Sequence, residues 1–133
     1  MTLLDTDTCI HLLRARDATA RNRLESHNPE HVGLSVITLA ELMYGAECSQ
    51  YPERNRDAVL RFASSFQVVP FTADDTGYFG LIRTTLRRNG TPIGPYDLQI
   101  AAQCLRLDAT LVTHNTKEFR RVPGLRVEDW MGG

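Results

Sequence analysis

The sequence predicts an α/β fold with a mainly parallel central sheet flanked by helices on both faces, and three observations carry that expectation. Short apolar or β-branched runs alternate with stretches whose apolar residues recur at helical spacing, the pattern of successive βαβ units. No internal repeat, low-complexity segment or linker divides the chain. At 133 residues and 42% hydrophobic content it has the length of one domain, residues 1–133, and can bury a core without disulfides or structural metal.

The elements follow in order. Thr2 to Leu4 is a short strand ending at Asp5, and Cys9, Leu12 and Leu13 then continue at helical spacing. The polar segment from Arg14 to Glu30 holds a second short helix and turns at Asn28-Pro29. Val32 to Ile37 is apolar and β-branched, hence a strand, after which Thr38 opens a helix through Leu39, Leu42, Met43 and Ala46. Beyond a break near Tyr51-Pro52, Val59, Leu60, Ala63 and Phe66 share a helical face, and Val68, Val69 and Phe71 form a strand interrupted by Pro70. Tyr78, Leu81, Ile82 and Leu86 mark the next helix, stopped by Asn89-Gly90. The loop from Gly90 to Pro95 holds two Gly and two Pro, which leaves its backbone little freedom. Tyr96 to Leu107 is a helix on the Ile100, Ala101, Cys104 stripe, and Ala109 to Thr113 is a strand. A helical turn at Lys117 to Phe119 and a strand at Leu125 to Val127 close the chain.

The formal net charge of -1 excludes a nucleic-acid binder held mainly by bulk positive charge, but not one with a local basic face. All but one of the basic residues are Arg, whose planar fork suits phosphate and carboxylate. Cys9, Cys48 and Cys104 are an odd number at wide spacing and read as buried, reduced thiols of a cytoplasmic protein. No Cys-x-x-Cys supports a thiolate zinc site. No signal peptide is expected at the amino terminus, and no apolar run is long enough to span a bilayer.

In a parallel sheet the ligand site lies at the carboxyl ends of the strands, so polar residues out of place there are the ones to follow. Glu25, Glu30, Glu53, Asp57, Asp74, Asp75, Glu128 and Asp129 sit among polar neighbours and need only water. Asp5, Glu41 and Asp97 instead lie in apolar surroundings at element junctions. If their strands are neighbours, the three converge on one end of the sheet. Meeting carboxylates without a counter-charge repel and shift towards protonation, and a divalent cation removes that penalty. Hard Mg²⁺ or Mn²⁺ suits an all-oxygen site better than zinc does.

Each acid also has a plainer role. Asp5 or Asp7 serves as the cap of the first helix, Thr38-x-x-Glu41 matches a capping box, and Asp97 complements the positive end of its own helix. Asp108, ahead of a strand at the opposite end of the sheet, has a turn role. Cys9-x-His11 lacks metal-site spacing, while His27, His31 and His114 fall in loops or turns. No Gly-x-Ser-x-Gly elbow, phosphate-binding Gly-x-x-x-x-Gly-Lys loop or dinucleotide fingerprint occurs.

With these residues in view, the sequence resembles the PIN-domain ribonucleases and, within them, the VapC toxins of bacterial toxin-antitoxin pairs. The matching segments are LLDTDTCI, SVITLAELMYGAE, GTPIGPYDLQIAA, LVTHNTKEF and VPGLRVEDW, in family order and over essentially the whole chain. The resemblance implies a PIN-like fold with an acidic pocket at the sheet's carboxyl edge. It makes Asp5 and Asp97 metal ligands, Glu41 the third acid, and Asn115 a further catalytic position. It also implies a metal-dependent endoribonuclease using Mg²⁺ or Mn²⁺ and acting on structured RNA, above all tRNA, to arrest translation and growth. The implied partners are a VapB-type antitoxin covering the pocket, a second copy of the chain in a homodimer, and operator DNA reached through the antitoxin. Two positions depart from the family pattern. Asp7 stands where Asn or Ser is common, and binds a second ion or only caps the helix. Asn115 stands where many members have an acid, with Glu118 one turn later able to supply the charge.

Arg14, Arg83, Arg87 and Arg88 are placed to hold an RNA backbone at the pocket rim, or are solvated helix faces. Two other classes were weighed. Asp5-Thr6-Asp7 at a strand end is similar to the Asp-x-Asp of aspartyl-phosphate phosphatases, but Cys9 and the single Lys117 fit that chemistry poorly. A non-catalytic RNA- or protein-binding module would have no need of Asp5, Glu41 and Asp97 together. Setting those three acids apart leaves a mildly basic, arginine-dominated remainder.

Overall fold

The computed structural model describes residues 1–14 and 18–131. Five strands form one sheet: β1 (Thr2–Leu4), β2 (Val32–Ser35), β3 (Gln67–Val69), β4 (Thr110–Val112) and β5 (Arg126–Glu128). Their order is β3-β2-β1-β4-β5 and every pairing is parallel. Between them run α1 (Thr6–Arg14), α2 (Ala18–Glu25), α3 (Val36–Glu47), α4 (Pro52–Ala63), α5 (Thr76–Arg88), α6 (Pro95–Leu107) and the short α7 (Thr116–Phe119). Part of the polar segment after Arg14, residues 15–17, lies outside the described residues.

A strand covered on both faces has no side that can be polar, which is why β1 reads Thr-Leu-Leu rather than as an alternation. Leu3 and Leu111 point into one core with Ile82 and Leu86 of α5, Ile100 and Cys104 of α6, and Phe119 of α7. Leu4 and Val112 point into the other, with Cys9 and Leu12 of α1, Leu42 of α3, Val59 of α4 and Trp130. The expected layering of helices on both faces of a parallel sheet is what the chain adopts.

Four expectations change. Strand β2 stops at Ser35, and α3 starts at Val36, two residues before Thr38. The reason is local: the Ser35 hydroxyl accepts the Ile37 amide at 3.0 Å, a side-chain cap that outweighs the strand preference of Val36, Ile37 and Thr38. Tyr78 and Leu81 are exposed, so the buried stripe of α5 is carried by Ile82 and Leu86. Cys48 lies on the surface just beyond α3, unlike the buried Cys9 and Cys104. Asp75, grouped with the solvated acids by its polar neighbours, is fully buried; it accepts the Thr72 amide and pairs with Arg106 of α6. By contrast Asp108 takes its turn role, ending α6 at φ 53° with Arg126 on its carboxylate.

Gly33, at the middle of β2, sits against its neighbours without room for a side chain. A Cβ there would stand 2.7 Å from the Gln67 carbonyl oxygen of β3 and 3.4 Å from a Leu3 methyl. The backbone oxygen cannot yield without parting the two strands. Gly33→Ala is expected to cost roughly 2–3 kcal/mol of stability, seen as a fall of about 10 °C in the midpoint of thermal unfolding followed by circular dichroism. An unchanged midpoint would mean that β2 and β3 separate without penalty.

Candidate active site

Strand β1 is central, and the chain turns to β2 on one side of it and, much later, to β4 on the other. That is the point where a parallel sheet reverses its winding and opens a crevice at its carboxyl edge. Asp5 stands there, one residue beyond β1, and its amide still donates to the Val112 carbonyl at 3.0 Å, continuing the ladder with β4. Its carboxylate is only 5% exposed, and one oxygen accepts the Thr8 amide at 2.9 Å. Asp5 is therefore the residue that caps α1, and Asp7, the other candidate for that role, is exposed in the first turn. Burial raises the pKa of Asp5, with Asp7 adding to the rise; hydrogen bonds from the hydroxyls of Thr113 and Thr8 and from the Thr8 amide hold it partly down.

Glu41 reaches the same edge from α3, in the second turn rather than the first, because that helix starts at Val36. The capping-box alternative fails in the structure: Thr38 is buried within the helix, and the Glu41 carboxylate instead accepts the Thr6 hydroxyl at 2.7 Å. That bond ties the start of α1 to α3 across the crevice.

Asp97 is the third residue of α6, which Pro95 starts without losing a useful donor. It is half-buried, and its pKa is pushed up to about 7. The largest cause is burial; next come the charge of Glu118 and a carboxyl–carboxyl hydrogen bond with it, then the charges of Glu41 and Asp5. Glu118 is placed by three contacts: its bond to Asp97, the Asn115 side-chain amide, which donates to it, and the Gly94 amide, which donates at 3.4 Å. Asn115 itself is exposed at the start of α7 and acts on the site through Glu118.

The structure thus brings Asp5, Glu41 and Glu118 within electrostatic reach of Asp97. Asp7 is peripheral, felt by Asp5 alone among these acids, and Asn115 is a support for Glu118. Among the described residues no ion pair neutralises any of the four. Nor, among those residues, are three His, Cys, Asp or Glu side chains already drawn into a cation cage. The charges of Glu118, Glu41 and Asp5 all act on Asp97, and carboxylate oxygens are the donors that a hard divalent cation prefers.

Three supporting residues carry no acid and were missed in the sequence. Thr6 holds Glu41, and Thr113, fully buried just after β4, holds Asp5 and accepts the Asn115 amide at 2.9 Å. Gln103 is buried in α6; its amide donates to the Val69 carbonyl at 3.1 Å and its oxygen accepts the Ser35 hydroxyl, fixing the residue that starts α3. A Gln inside the Ile-Ala-Ala-Gln-Cys stripe was the signal for the last of these. His114 pairs with Asp129 at 3.0 Å, and His27 packs on Trp130 at 4.8 Å between ring centres.

Comparisons with known proteins give the same direction. The PIN domain family profile matches residues 2–125. A relative from Salmonella typhimurium named tRNA(fMet)-specific endonuclease VapC is 42% identical over 128 residues, 96% of each chain. Another, Ribonuclease VapC2 of Rickettsia felis, is 38% identical over 129 residues, again 96% of each. The crystal structure of DNA-bound VapBC from Salmonella typhimurium superposes with a TM-score of 0.92 at 42% identity, covering 97% of both chains. With a matching fold, a matching profile and relatives of equal length, the chain belongs to the PIN-domain family and, within it, to the VapC branch.

Proposed function

We propose that the chain is the toxin of a toxin-antitoxin pair, an endoribonuclease that cleaves structured RNA, tRNA foremost, with the help of Mg²⁺ or Mn²⁺. The observation that carries this reading is the gathering of Asp5, Glu41 and Glu118 around the half-buried Asp97, whose pKa burial first, and then the charges of those acids, push up to about 7, in a chain whose relatives are named ribonucleases. Asp5 and Asp97 would hold the cation, which when bound supplies charge neutralisation and an acidified water.

The chain's own residues divide the remaining tasks. Asp5 is held by Thr8 and Thr113, which restricts the rotamers of its carboxylate before anything binds. Glu41, oriented by Thr6, takes the proton of the attacking water. As the new oxygen–phosphorus bond forms, the bond to the 3'-oxygen breaks and that oxygen takes a proton from solvent water, giving a 5'-phosphate and a 3'-hydroxyl, while Glu41 returns its proton to solvent. Glu118, gripped by Asn115, keeps the field at Asp97 high enough that the ion is needed.

The partner follows from the relatives: VapBC structures pair a VapC chain with VapB, some of them on DNA. For this chain we infer a VapB-type antitoxin that covers the pocket and carries the pair to operator DNA, with a homodimer of the toxin at its centre. No helix among the described residues is long and apolar enough to cross a membrane, and tRNA places the activity in the cytoplasm.

The test uses the purified full chain, free of antitoxin, on initiator and elongator tRNA with Mg²⁺, Mn²⁺ or a chelator. Metal-dependent cleavage leaving 5'-phosphate ends is expected, and Asp5→Asn, which keeps the helix cap, should slow it about a thousandfold. Equal cleavage by Asp5→Asn and parent would remove the metal-site assignment.

A further inference from the structure

A cleft of about 280 Å³ lies between α5 and the Gly90–Pro95 loop. Its lining includes Arg83 and Arg87 on one wall and Pro92, Ile93, Pro95 and Leu98 on the other. Pro95 and Leu98 bracket Asp97 in the first turns of α6, so the cleft and the acids share one helix start. The loop itself is pinned: the Glu118 carboxylate accepts the Gly94 amide, and Arg121 donates to the Pro92 carbonyl at 3.2 Å.

The two arginines are one turn apart on the same face of α5, where like charges oppose each other. Arg23, Arg56, Arg106 and Arg126 each have a carboxylate partner; among the described residues Arg83 and Arg87 have none, and both are exposed. A pair of unneutralised forks beside an apolar wall stiffened by two prolines is complementary to one nucleotide, with phosphate at the forks and base or ribose on the wall. The volume is at the small end of the range for ligand pockets and takes a single residue of a strand, not the face of a duplex. A nucleotide enters such a cleft only when unpaired, as in loops and bulges, because bases in an A-form helix are stacked and inaccessible. Arg88, also in the last turn of α5, and Arg14, which lines a different cleft between α1, α3 and α4, do not share this wall.

We propose that this cleft lodges an unpaired nucleotide flanking the scissile phosphodiester, and so restricts cleavage to single-stranded parts of a folded RNA. The inference rests on the ribonuclease reading above. Arg83 and Arg87 are binding residues here, with no part in the chemistry.

The experiment compares the parent with R83A/R87A and R83K/R87K as full chains. The first probe is a 5'-labelled tRNA transcript, followed for cleavage kinetics and, in an Asp5→Asn background, for binding across a salt series. The second is a blunt RNA duplex without unpaired residues, followed for binding. For R83A/R87A the KM on tRNA should rise roughly tenfold, with kcat unchanged. Its slope of log affinity on log salt should fall by about 1.4, the value for two lost contacts to a single strand. R83K/R87K, which keeps the charge, should recover most of the affinity, and duplex binding should be the same for all three. Unchanged KM and slope in R83A/R87A, with a parent that cleaves, would overturn the cleft assignment alone. Equal losses on tRNA and duplex would overturn it too, by showing general surface charge. A parent that cleaves no RNA under any metal condition would overturn the ribonuclease reading and this inference with it.

Discussion

Asp97→Asn is expected to lose RNA cleavage by about a thousandfold while making the metal-free protein more stable above pH 7. The two effects share one cause. In the folded chain burial, Glu118, Glu41 and Asp5 raise Asp97 to about 7, whereas in the unfolded chain it titrates near the ordinary aspartate value of 3.8. Between those values the folded state holds a proton that the unfolded state has released. Stability contributed by this group is therefore full below about pH 4, is lost progressively as pH rises towards 7, and stays lost above it. Asn has no charge to bury and escapes that loss.

Thermal unfolding in chelator at pH 5 and pH 8 checks it, since the advantage of Asp97→Asn should be larger at pH 8. Adding Mg²⁺ should reverse the order, by stabilising the parent through binding and leaving the variant unmoved. Ion binding must displace the shared proton, so the gain with Mg²⁺ should grow from pH 6 to pH 8. A pH-independent difference between parent and variant would refute the account.

Asp75→Ala is expected to produce the largest loss of stability, about 3–5 kcal/mol. Asp75 is fully buried, its partner Arg106 is mostly covered, and one of its oxygens also accepts the Thr72 amide at 2.7 Å. Removing the acid strands a guanidinium against the protein and frees a buried amide. The loss is a large fraction of the roughly 5–15 kcal/mol by which domains are stable. Urea unfolding should show it as a lower midpoint at unchanged slope. The double variant Asp75→Leu/Arg106→Met should regain part of the loss, because replacing both members of a buried pair with apolar groups removes the desolvation cost. A deficit under 1 kcal/mol in the single variant would show that the pair is solvated and slack.

The contrast between Asp75 and Asp97 explains what was legible in the sequence. Asp97 sits among apolar residues, so its neighbours in the chain already declared it misplaced, as they did Asp5 and Glu41. Asp75 sits in Thr-Ala-Asp-Asp-Thr, and its burial is decided by an arginine 31 residues later, which no local pattern announces. Strands β1, β3, β4 and β5 were readable to within a residue or two because each is an apolar run bounded by turn residues. The start of α3 was not, since three β-branched or apolar residues argued for strand and a single serine hydroxyl decided for helix. Thr113 and Glu118 acquire their places only through the pairing of β4 with β1, a contact between distant parts of the chain.

That pairing bears on when the site can form. β1 emerges first during synthesis, yet its neighbour β4 lies more than a hundred positions later; the Thr8 hydroxyl finds the Val112 carbonyl at a separation of 104 residues. Asp5 has no Thr113 and Asp97 no Glu118 until nearly the whole polypeptide has left the ribosome. The constellation of acids is therefore completed only once nearly the whole length of the chain is free to fold, which makes it one of the last features of the molecule to form.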